Sequence, residues 1–114
     1  EYTSMSGRML NNIRHKTLTG GAYYANWDIL MSWFASPPCE VAILGDDYES
    51  VLQDIHAHYL PHVLLSGGRD EGKLALLEGK LIRGQTTIYV CRDRVCKLPV
   101  TDINEALALI NTNK

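Results

Sequence analysis

Apolar positions along the chain change period several times, and each change marks a boundary between elements. From Ser4 to about Leu18 they fall at Met5, Met9, Leu10 and Ile13, which lie on one helix face, and Gly20-Gly21 ends the run. Tyr23, Trp27, Leu30, Met31 and Phe34 repeat that spacing and predict a second helix over 23–34, which holds both tryptophans. An aromatic stripe of this kind ordinarily faces a core; in a small domain it can instead face a partner. Ser36-Pro37-Pro38 closes the helical hairpin, because proline donates no backbone hydrogen bond and disfavours helix in the residue before it.

Beyond the prolines the pattern turns to short buried runs. Glu40-Val-Ala-Ile-Leu-Gly45 is apolar without alternation, as in a strand covered on both faces. Asp46 and Glu49 form a D-x-x-E start for a helix reaching about Tyr59, with Tyr48, Val51, Leu52, Ile55 and Tyr59 on its inner side and Pro61 as its stop. His62 to Ser66 is a second buried strand, leaving through Gly67-Gly68. A strand, a helix and a strand with short links make a right-handed βαβ unit with parallel strands. Leu74, Leu76 and Leu77 predict a short helix within Glu71–Lys80, weakened by Gly72 and Gly79. Thr86 to Cys91 is β-branched and aromatic, Arg92–Val95 is a loop of four residues, and Val95 to Val100 returns. That hairpin sets Cys91 and Cys96 opposite each other, at the roughly 5.5 Å Cα spacing a disulfide prefers. Asp102, with Glu105 three residues on, opens a last helix whose inner face is Ile103, Ala106, Leu107 and Ile110. The expected fold is α/β: a helical hairpin (1–36), then a small three-layer-like βαβ sheet and a C-terminal helix (37–114). Its sheet has two parallel strands plus a third strand continuing into a β-hairpin.

Composition narrows the function classes. Of 114 residues, 46% are hydrophobic and 21% charged, which suits an ordinary globular domain. A net charge of -2 supplies no electrostatic footprint for nucleic acid or an anionic membrane. No apolar run approaches the roughly 20 residues that span a bilayer, and no signal-peptide pattern is present, so the expected compartment is the cytoplasm. Three cysteines are too few for a disulfide scaffold, which fits a reducing compartment. The chain starts at Glu1 and reaches its first methionine at Met5, so it reads as a piece of a longer protein.

Pro38-x-Glu40-Val-Ala-Ile-Leu-Gly45, then Tyr59-Leu-Pro61, then Tyr89-Val-Cys-x4-Cys-x2-Pro99-Val resembles the C-terminal end of the large thioredoxin-domain proteins related to spermatogenesis-associated protein 20. The resemblance covers about residues 23 to 110, and Tyr-Val-Cys-x4-Cys-x2-Pro is its most specific part. It implies a parent with a thioredoxin-like domain, an α/α toroid and a small C-terminal α/β region, with the helical hairpin as the end of the toroid. The thioredoxin dithiol and the toroid cavity lie outside this chain, so the resemblance carries no catalytic residue over.

The residues themselves offer three candidate chemistries. Cys91 and Cys96 read as a reversible dithiol, with Arg92 and Arg94 favouring thiolate, or as a passive clasp or core pair. A metal on Cys39, Cys91 and Cys96 is disfavoured: with the third strand parallel to the first, Cys39 and Cys91 lie about 16 Å apart, at roughly 3.3 Å per residue. Cys39 with His62, His56 and His58 is an alternative metal cluster, set against histidines that favour a helix C-terminus. The ends of the parallel strands gather Asp46, Asp47, Ser66, Gly67, Gly68 and Arg69 as a small-ligand edge, set against turn and capping roles. No metal and no cofactor is assigned. The leading expectation is a non-catalytic packing or assembly domain. Its partners are the N-terminal domains of the parent or a second copy meeting the Tyr23–Phe34 helix, with neither nucleic acid nor membrane among them.

Overall fold

The computed structural model describes residues 1–112 and divides into two compact units, Glu1–Pro37 and Pro38 onward. The first is a helical hairpin: α1 (Tyr2–Gly20), one 3-10 turn (Gly21–Tyr24) and α2 (Ala25–Ala35). Leu10 and Thr17 of α1 are buried, and the Phe34 ring of α2 lies beside Gly7, 3.6 Å from where a Cβ would stand, an ordinary contact distance. No residue of α2 is buried. The stripe read as core is therefore not covered as a core would be. Trp27, Leu30 and Met31 are half-buried, while Tyr23 sits in the 3-10 turn, 97% exposed.

The second unit is a four-stranded mixed sheet in the order β2-β1-β3-β4, so the fold is α/β. β1 (Cys39–Leu44) runs parallel to β2 (Val63–Gly68) through α3 (Tyr48–His56), which is the βαβ unit. β3 (Thr87–Arg92) lies antiparallel to β1, with Glu40 opposite Cys91 and Leu44 opposite Thr87. A two-residue β4 (Val95–Cys96) completes the hairpin, and α4 (Ile103–Asn111) follows. Its start holds as read: the Asp102 carboxylate accepts from Glu105 N at 3.0 Å, satisfying a backbone donor of the first turn.

Register decides which side chains share a face. Cys39, Val41 and Ile43 of β1 and Ile88 and Val90 of β3 face Ile55 of α3 and Ala106 and Ile110 of α4, and this is the main core. Ala42 and Leu44 face the other way, onto Leu76, Leu77 and Leu81. Both faces of β1 are thus dry, which explains its unbroken apolar run. The segment covering the second face is not a helix; it is a series of turns. The Glu71 carboxylate reaches forward to the backbone N–H groups of Gly79 and Leu81, each at 2.9 Å, and closes the segment as a loop. α3 also differs from expectation. It begins after Asp47, neither Asp46 nor Asp47 caps it through a side chain, and it ends at His56, leaving Tyr59 91% exposed.

Candidate functional site

Cys91 and Cys96 pair across β3 and β4, with Cα atoms 3.9 Å apart, and are joined by a disulfide. The Arg92–Val95 pair makes the loop two residues long, Asp93-Arg94, rather than four. Both take positive φ, 49° and 66°, as a type I′ turn requires, and its twist suits a tight hairpin. Sequence gave no Gly at either position to signal that turn. From Cys91 to Ile88 is three residues, whereas from Cys96 to Ile88's partner Val100 is four. The extra residue is a bulge, and it accommodates Pro99, which has no N–H for a regular ladder.

The two sulfurs sit in unlike surroundings. Cys91 is fully buried and Cys96 half-buried. Glu40 stands opposite Cys91 on the same face of the sheet. Arg92, one of the two arginines expected to favour thiolate, points to the other side, where its Nη2 donates to the Ile110 carbonyl at 2.6 Å, near the end of α4. Antiparallel β3 also corrects the position of Cys39, since it brings Cys39 and Cys91 to the same end of the sheet. Alternation keeps them apart instead, because Cys39 belongs to the helix-covered face and Cys91 to the other. Cys39 is a free, buried thiol, and burial pushes its pKa up, with Arg92 opposing. Among the described residues, no three His, Cys, Asp or Glu side chains come close enough to hold a metal ion.

The strand-end candidates divide. Asp46 and Arg69 line a shallow cleft of about 230 Å³ with Gly45, Leu81, Arg83 and Gln85. Arg83 and Gln85 come from the aperiodic loop before β3, where no pattern singled them out. Ser66, Gly67 and Gly68 are instead paired strand residues of β2, so they are neither an exit turn nor a phosphate-binding loop. Gly67 is a packing residue: a Cβ there would meet the Ile43 carbonyl oxygen at 2.6 Å. Asp47 gives its backbone N–H to Thr86 Oγ1 at 3.0 Å, a join between the start of α3 and the start of β3. Nearby, the Tyr48 hydroxyl donates to Glu49, which raises the tyrosine pKa because losing that proton would set two anions together.

Fold and site together define a small mixed α/β domain with a disulfide across its edge hairpin. The chain matches none of the protein families, curated proteins or solved structures with which it was compared.

Proposed function

We propose that the chain is a non-catalytic packing or assembly module, whose helical hairpin is completed by further helices of the same polypeptide. The observation that carries this reading is α2: it holds both tryptophans, yet buries none of its residues. Ile29 is 50% and Phe34 45% exposed, and Trp27, Leu30, Met31 and Trp33 are only half-buried, which leaves apolar surface that a partner helix would cover. The proposal includes the resemblance to the C-terminal region of thioredoxin-domain proteins, in which such helices would close the preceding toroid, and with it a cytoplasmic setting. No described helix is long and apolar enough to cross a membrane.

The test is acrylamide quenching of tryptophan fluorescence, with sedimentation, on this chain alone and on a chain extended toward its N-terminus. The isolated chain is expected to quench readily and to bind a hydrophobic dye, and the extended chain to lose both properties as a monomer. A compact monomer whose tryptophans are already shielded would overturn the reading. Loss of quenching through dimerisation would replace the intramolecular partner with a second copy.

A further inference from the structure

We infer that Cys96 Sγ is a thiol-exchange site: a dithiol reductant opens the Cys91–Cys96 bond by attack at Cys96, and Cys91 is the leaving sulfur. The inference is independent of the helical hairpin and rests on the asymmetry of the pair. Attack on a disulfide runs along the S–S axis and needs a clear approach behind the sulfur that is struck. Cys91 has no exposed surface, with the sheet and Glu40 around it, whereas Cys96 is half-buried on a two-residue edge strand. β4 is the last strand of the sheet and pairs only with β3, so the line from Cys91 through Cys96 runs out across an open sheet edge.

A thiolate of the reductant bonds to Cys96 Sγ, the Cys91–Cys96 bond breaks, and its electron pair leaves on Cys91 Sγ, which takes a proton from water. The second thiolate of the reductant then displaces Cys96, which is protonated in turn. The reductant departs as its own disulfide, having passed two electrons to the protein, while both protons come from water. Glu40 is a positioning residue here, because its charge opposes the developing Cys91 thiolate and makes it a slower leaving group. Cys39 takes no part, since its thiol lies on the opposite face.

Glutathione is the trapping probe, because a monothiol leaves a mixed disulfide that accumulates. The oxidised, folded chain is incubated with glutathione, quenched in acid and mapped by mass spectrometry. The adduct is expected on Cys96; an adduct on Cys91, or no adduct in native buffer, would overturn the inference. Uncharged dithiothreitol then reports rate. Glu40→Gln is expected to speed reduction by roughly threefold at an unchanged unfolding midpoint, through the lower basicity of Cys91. An unchanged rate would remove Glu40 from the mechanism and count against Cys91 as the leaving sulfur. Gly45→Ala, which destabilises the sheet far from the hairpin, is expected to leave the rate as it is. A rate that rises with its lost stability would mean that reduction proceeds through unfolding, and the site would be refuted.

Discussion

Gly45 joins β1 to α3 at φ 136°, a conformation nearly closed to residues with a side chain. A Cβ at this position would lie 2.5 Å from both Thr86 Cα and Thr86 Oγ1, and 2.8 Å from the Gln85 carbonyl oxygen. Backbone atoms cannot swing aside, so Gly45→Ala must push the β1–α3 turn away from the start of β3. The backbone strain costs about 1 to 3 kcal/mol. Displacing Thr86 also weakens its bond from Asp47 N–H, which adds roughly 1 kcal/mol. The expected loss is therefore about 2 to 4 kcal/mol, a large share of the stability of a small domain. Gly79→Ala is the control: Gly79 also has positive φ, 70°, but nothing lies within 4 Å of its Cβ position. It should cost about 1 to 2 kcal/mol, the left-handed penalty alone. Urea unfolding with a shared m-value measures both. If the two variants lose the same stability within error, the close approach of Gly45 to Thr86 is not what holds these segments together.

Four further outcomes are expected. Thr87 is buried at 1% exposure with no hydrogen-bond partner for Oγ1, so Thr87→Val, which keeps the shape and removes the hydroxyl, should stabilise by roughly 1 kcal/mol in urea unfolding. Asp102→Ala removes the side-chain cap of α4 and should cost about 1 kcal/mol, measured in the same way. The Glu71 carboxyl is held below the usual glutamate value by the N–H groups of Leu81 and Gly79. A depressed pKa contributes stability above the ordinary carboxylate value and loses it as pH falls through the folded one, so the protection of the Gly79 and Leu81 amides, taken relative to intrinsic exchange at each pH, should fall in acid, a step that Glu71→Gln abolishes. Under non-reducing conditions, alkylation should find one free thiol, Cys39, silent at pH 8 until denaturant is added, as its burial and raised pKa require.

How much of this was legible in the sequence turns on one connection. Periodicity placed the four helices of the described residues and the βαβ unit, because each helix carries apolar residues at helical spacing, even in α2, where that stripe is not buried. The stretch Glu71–Lys80 broke the reading. A helix there would have made a second crossover and a third strand parallel to the first. Two glycines weaken such a helix, and Glu71 bonds forward by eight and ten residues, which no helix permits. Without a crossover helix the chain enters β3 from the other end of the sheet, antiparallel to β1. That reversal moves Cys39 from the far end of the sheet to within one residue of the register of Cys91. Strand parity then becomes the decisive quantity: an even offset would have set Cys39 and Cys91 on one face and opened thiol exchange among three sulfurs. The offset is odd, with Glu40 rather than Cys39 opposite Cys91, so the sheet itself insulates the free thiol from the disulfide. Cysteine spacing along the chain cannot carry that information, because pairing between strands far apart in sequence sets the parity.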